Sequence, residues 1–452
     1  MSELLEEIPT TAKGPGASRV RVAVLIAACG LSLVAYIHRI GFALGAPEIK
    51  RDLGFDDAQL GALIAAFFWA YGGFQVVGGW LGDRFGARHT LTLLVLAWSL
   101  VMGAVALVIW IPGKPEQVAD LVALRFLLGM LQAGAFPILS RVIADWIPVT
   151  GRGTAQGLIW MSGRLGGALT PLALGPLFAA CGTWRTPFWL LMGVGVAWCA
   201  AFWPWFRDTP ETSPRVNKAE LARIAAGRTP RAEARPPIPW ALLFGSRSAW
   251  ALCLAYGCLG FSGNFFIGWL PSYLRSQRHL SADTTKWLTS LPMACGLFAC
   301  LAGGALSDLI IRRTGNRSWG RRLTGAVGMG LAALAFAATI RVETPWLLGV
   351  LLCLTFACND LAMAPAWAAC ADIGEQAAGT LGGLMNTMAN LGGAVGAMIA
   401  GRLFAAHRPE LAFLIFAASY ALGALCWLGV DADRPLIAAP IERMVCPDDM
   451  PL

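Results

Sequence analysis

Apolar residues run through this chain in twelve long blocks separated by shorter polar intervals. They lie at about 22–46, 58–82, 89–112, 119–146, 153–180 and 187–206, and, after a longer polar interval, at about 248–274, 284–311, 322–340, 346–371, 378–404 and 411–430. A helix needs ~20 mostly apolar residues to cross the hydrocarbon core of a bilayer. The pattern therefore predicts an all-α membrane protein of twelve transmembrane helices in two six-helix bundles. It divides the chain into a tail at 1–21, a first bundle at 22–206, a linker at 207–247, a second bundle at 248–430 and a tail at 431–452. No cleavable signal peptide is expected, because the first twenty residues hold acids, Pro9 and glycine-rich turns and the first apolar run is too long.

Composition agrees with a chain that lives in lipid. It is 57% hydrophobic and 14% charged, with a mean hydropathy of +0.61, where a soluble domain is about 25% charged. The twelve cysteines are scattered along the apolar blocks, apart from Cys446, without a CxxC pair or a His/Cys cluster. They read as small buried hydrophobes, so neither a metal nor a cofactor is expected. No Ser/His/Asp set, HExxH or phosphate loop appears, which argues against an enzyme.

Charge then orients the blocks. The linker carries Arg207, Arg215, Lys218, Arg223, Arg228, Arg231, Arg235 and Arg247, the turn after the second block has Arg84 and Arg88, and the loop after the eighth has Arg312, Arg313, Arg317, Arg321 and Arg322. Alternate loops such as "PEIKRDLGFDD" are shorter and mixed in sign. Positive loops stay inside, so both termini and the linker are expected on the cytoplasmic side of a cell membrane. The net charge of +8 is thus mainly a topology signal, and no nucleic-acid partner is implied. A short amphipathic helix is expected in the linker near 217–226.

The halves echo each other. "GGWLGDRFGARH" (78–89) and "GGALSDLIIRR" (303–313) place Asp83 and Asp308 at an offset of 225, and "GTAQGLIWMSGRLGGA" (153–168) matches "GTLGGLMNTMANLGGA" (379–394) at 226. Two matches at nearly one offset indicate a duplicated six-helix unit, with a site near the midplane between the copies. In the second echo Arg164 corresponds to Asn390, so the polar side chains of the site are asymmetric.

Within "LSLVAYIHRIGFALG" (31–45), Arg39 lies 18 residues from Arg21 and 9 from Glu48. At about 1.5 Å per residue it is over 10 Å from either edge. Charges at such depth mark substrate or ion paths by default. Arg125 and Arg164 also lie in apolar blocks, although Arg125 has an alternative reading as an edge anchor and Arg164 as a structural partner of Asp360. Three cations against few carboxylates predict an electropositive cavity for a small organic anion, since a guanidinium fork fits carboxylate or phosphate. Tyr36, Tyr71, Trp367, Asn386 and Asn390 are candidates for its remaining contacts.

"GGWLGDRFGARH" resembles the signature between spans two and three of the major facilitator superfamily. "YIHR", "RFLLGMLQAGAFP", "NFFIGWLPSYL" and "MAPAWAACADIGEQAAGTLGGLMNTMANLGGA" are similar to motifs of its anion:cation symporter family, which includes hexuronate, galactonate and glucarate transporters, sialin and vesicular glutamate transporters. The resemblance spans about residues 20–430. It implies secondary active transport of a small organic anion, such as a sugar acid, by alternating access in a monomer. It also implies binding roles at Tyr36, Arg39, Tyr71, Arg125, Trp367 and Asn390, and gating by Asp83, Arg84 and Arg88, with Asp308 as the repeat of Asp83.

Two positions depart from the family. Proton-coupled members carry an Asp where this chain has His38 and a Glu where it has Gln132. Glutamine cannot titrate, and a histidine buried beside an arginine is expected to be neutral. Coupling is therefore left to His38 or Asp360, to sodium, or to none. An anion exchanger or uncoupled facilitator for an organic phosphate or dicarboxylate is the alternative, and a non-transporting receptor a more distant one.

Overall fold

The computed structural model describes residues 16–108, 116–226 and 240–436. Arg228, Arg231, Arg235, Cys446 and most of both predicted tails lie outside them. Among the described residues ten helical segments are long and apolar enough to cross a bilayer, or eleven with the bent pair Asp57–Gly73 and Gln75–Phe85 as one; dividing Pro345–Ala405 at the short turn Glu375–Ala377 gives twelve, in line with the repeat. In the first half these are Val20–Leu53, the pair Asp57–Gly73 and Gln75–Phe85, Ala87–Leu107, the pair Glu116–Gln132 and Ala135–Trp146, Arg152–Cys181 and Arg185–Trp205. In the second half they are Arg247–Gly268 with the short extension Leu270–Ser276, Ala282–Thr314, Arg317–Ala338, Pro345–Gly374, Ala378–Ala405 and Pro409–Leu428. Below they are called spans one to twelve.

The two halves are built alike. Span one packs on five, two on four and three on six; the second half repeats this as seven on eleven, eight on ten and nine on twelve. The bundles meet where span five packs on eight and span two on eleven, the elements that carry the two sequence echoes.

Three local features differ from the hydropathy reading. Span one continues through Pro47 to Leu53, because Ile49 and Leu53, four residues apart, put an apolar face into the core. The mixed-sign interval is therefore mostly helix, and the turn is closed by left-handed Gly54 and an Asp56–Gln59 capping box. Span two bends by 47° between its two pieces, just after the Gly72–Gly73 pair, and span four breaks at Ala133–Gly134. Hydropathy cannot register a bend, since both sides of it are apolar.

The linker helix is Lys218–Ala225. Its Glu220, fully buried, accepts hydrogen bonds from the Val20 and Arg21 amides at 2.9 and 3.0 Å and pairs with the Arg21 guanidinium at 3.1 Å. A carboxylate satisfying free amides at a helix start also complements the helix dipole. The linker is thereby pinned to the start of span one.

Candidate functional site

A helix turns about 100° per residue, so adjacent side chains on span one cannot share a face. Arg39 and Tyr36, three apart, point together between the bundles, whereas His38 points into the first bundle. Its Nε2 lies 2.9 Å from the Leu191 carbonyl and its Nδ1 accepts from Trp98 Nε1 at 3.1 Å. Those two bonds fix a neutral tautomer with both nitrogens engaged. The structure does not bring His38 to the central site.

Arg39 lies over aromatic rings, with its guanidinium carbon 4.3 Å from the Tyr71 centroid and 5.4 Å from that of Phe67. Tyr71 and Phe67 stack one turn apart on span two, at 5.8 Å and 12°. Arg125 shares the Phe67 ring at 4.7 Å and lies 3.7 Å from the Phe42 centroid. It is 3% exposed, so its guanidinium is turned into the protein. Such cation–π contacts cradle a guanidinium without neutralising it. Among the described residues neither Arg39 nor Arg125 has an ion-pair partner. Arg39 Nε and Nη2 and Arg125 Nη1 are buried without a hydrogen-bond acceptor, and the Gln132 Nε2 and Oε1 are buried without a partner of either kind. Gln132 lies seven residues from Arg125 and so on the same face of span four.

Arg164 differs. It reaches across from span five to Asp360 on span ten, Nη2 to Oδ1 at 2.6 Å, which realises its alternative reading as a partner of that carboxylate. Its Nε and the Asp360 Oδ2 are left unpartnered. On span eleven, Asn386 donates to Gln75 Oε1 at 3.0 Å and Asn390 to the Asn386 carbonyl at 2.7 Å, so both amides are partly committed within the protein. Trp367 is nearly fully buried and gives its Nε1–H to the Tyr256 hydroxyl at 2.7 Å. With Trp160, 5.4 Å away and itself stacked on Phe136 at 4.5 Å, it makes an aromatic floor joined across the bundles.

Below that floor, at the end that holds the termini, the duplication becomes chemistry. Asp83 Oδ1 accepts from the Gly379 amide at 3.1 Å, and its Oδ2 from the Thr380 amide at 2.6 Å and hydroxyl at 2.7 Å. Asp308 does the same to Gly153 at 3.0 Å and to Thr154 at 2.6 and 2.8 Å. Each carboxylate on one bundle therefore caps a helix start on the other. Backbones come within contact: a Cβ on Gly79 would meet the Gly379 carbonyl, and one on Gly304 the Gly153 carbonyl. Only glycine permits these two crossings.

Several residues at these two crossings were not singled out by sequence. Arg141 faces Asp83 at 3.7 Å, holds Asp145 at 2.8 Å and donates to the Gln376 carbonyl. Arg321, read as a loop charge, is fully buried and bridges Asp308 at 2.8 Å and Asp372 at 2.9 Å; Arg152 meets Asp372 at 2.8 Å. The i,i+4 pair in "SRVIADW" was a usable signal, whereas Arg321 looks like its loop neighbours. Arg84 is exposed, and Arg88 packs on Trp203 at 4.4 Å and donates from its backbone to Asp208 at 2.8 Å, so it braces its own bundle. Among the described residues no group of three metal-binding side chains occurs.

Two like bundles joined through spans five and eight and spans two and eleven form an architecture that membrane transporters use. The family model described as Major Facilitator Superfamily matches residues 23–397, and the chain belongs to that superfamily and to its anion:cation symporter type. It is 35% identical over 416 residues to a probable sulfoacetate transporter of Cupriavidus necator, covering 91% of this chain and 94% of the relative. A probable galactarate/D-glucarate transporter of Bacillus subtilis is 29% identical, with 91% and 90% covered. A D-galactonate transporter of Escherichia coli is 26% identical, with 93% and 97% covered. Among solved structures, the proton:xylose symporter XylE aligns with a TM-score of 0.68 at 14% identity, over 92% of this chain and 97% of that one. That likeness speaks for the fold alone.

Proposed function

We propose that the protein moves a small organic anion across the cell membrane by alternating access, as a monomer with its termini and linker in the cytoplasm. The observation that carries the substrate class is the Arg39–Arg125 pair: two cations deep in the bundle, cradled by rings and left with unpartnered N–H groups. A buried donor without an acceptor is costly, and a carboxylate entering the cleft supplies acceptors and countercharge together. Sulfoacetate, glucarate and galactonate, named for relatives, are all small carboxylates, and a second polar end can meet Gln132 and the Asn386–Asn390 edge. Arg84, Arg88, Arg312, Arg313 and Arg322 at the closed end support its cytoplasmic placement. The molecule is then outward-facing, with Asp83 and Asp308 holding the inner gate shut.

Counterflow tests this reading. Proteoliposomes preloaded with unlabelled sulfoacetate, D-glucarate or D-galactonate should take up the labelled form of at least one. Absence of counterflow for all three and for hexuronates would set the substrate class aside. An exchanger is the second reading, favoured by Gln132, which cannot carry a proton.

A further inference from the structure

Arg164 and Asp360 form half of a fork. The Nε and Nη2 edge of a guanidinium can meet both oxygens of a carboxylate, yet here Nη2 takes Oδ1 at 2.6 Å while Nε and Oδ2 are both buried and unpartnered. Oδ1 also receives the Asn359 amide at 3.0 Å. A Cβ on Gly296 would meet both Oδ2 and the Phe356 ring, and neither of these neighbouring residues has a side-chain donor. The pair joins span five of one bundle to span ten of the other, and the Arg164 side chain keeps 17% exposure while that of Asp360 has none. Asp360 is paired with Arg164 from span five, and the other titratable groups within its electrostatic reach are Tyr36 from span one, Cys300 from span eight and Tyr420 from span twelve. Among the described residues, none of these is a second carboxylate.

We infer that Asp360 carries the coupling proton: a substrate anion takes over Arg164 from Asp360, and the released carboxylate binds a proton at Oδ2. This rests on the transport reading above and selects proton symport over plain exchange. Physically, an ionised carboxylate removed from water needs its partner. When the anion occupies the guanidinium, a proton from the outer solution adds to Oδ2 and leaves a neutral carboxylic acid. On the inner side, anion release returns Arg164 to Asp360, which gives the proton up. One anion and one proton thus move in the same direction. His38, with both nitrogens engaged, and Gln132, which does not titrate, do not compete for the role.

The test uses the full chain in proteoliposomes with labelled sulfoacetate, whose charge is constant across mildly acidic and neutral pH. An acidic exterior should drive accumulation by the wild type. Asp360→Asn should lose the gradient response while counterflow continues at a reduced rate. Asp360→Glu should restore the response with a displaced pH profile, and it serves as the test if Asp360→Asn does not insert. A gradient response that survives in Asp360→Asn, or an unchanged profile in Asp360→Glu, overturns the inference. Counterflow by the wild type without any gradient response also overturns it while leaving the transport reading intact. No flux of sulfoacetate, D-glucarate, D-galactonate or hexuronates removes both.

Discussion

Neutralising Asp83 should open the inner gate. Asp83→Asn keeps the shape of the side chain but offers one acceptor oxygen in place of two, and turns an NH2 group towards an N–H of Gly379 or Thr380. Arg141, 3.7 Å away, loses countercharge at the same time. A hydrogen bond to a charged group contributes about 1.5–3 kcal/mol, and an orphaned buried donor costs about 1–3 kcal/mol. Losing one such bond from the three now made, with partial compensation by the amide oxygen, weakens the closed form by about 2–3 kcal/mol. That corresponds to a shift on the order of 30- to 150-fold in the balance of closed and open forms. Because Asp308 makes the same three contacts with Gly153 and Thr154, Asp308→Asn should act similarly. Spin labels at Phe85 and Arg313, exposed positions near the gate end of opposite bundles, report the opening by pulsed dipolar spectroscopy in nanodiscs. A longer distance should gain population in both variants. Distance distributions identical to wild type in both would refute the gate as described.

Gly79→Ala should give the same opening by a steric route, since its methyl meets the Gly379 carbonyl; an unchanged label distance would mean that the crossing can yield. His38→Phe removes the bonds to Leu191 and Trp98 and should lower thermal stability by about 1–3 kcal/mol with ligand affinity little changed. Lost affinity at intact stability would instead return His38 to the site. Glu220→Ala frees the linker from the start of span one and should cost about 1–2 kcal/mol there, seen as faster proteolysis of the linker; equal cleavage rates would count against that contact.

The spans were legible because a bilayer imposes a length that apolar runs display openly, and the duplication was legible because both copies kept their glycines. Asp83, Asp308 and the Gly-Thr pairs were visible as echoes, but only the fold shows that each aspartate caps the opposite copy's Gly-Thr. Residues 296 and 297 positions apart meet at Asp83, and hydropathy carries no information about such pairs. The same limit hid Arg321, whose burial depends on Asp308 and Asp372 arriving from two other spans. Arg39 stood out in the sequence by its depth in an apolar run. The separation of His38 from it follows from helix geometry, although which of the two faced the cleft required the neighbouring spans.

The central claim is that Arg39 holds the anion, and a thermal-shift titration tests it most directly. A ligand at about 100 times its dissociation constant stabilises the protein by about 2.7 kcal/mol, so sulfoacetate or D-glucarate should raise the melting temperature of the wild type in a saturable way. Arg39→Ala should insert normally and lose the shift, and Arg39→Lys should recover little of it, because a point charge replaces a fork. A full ligand-dependent shift in well-folded Arg39→Ala would contradict the account.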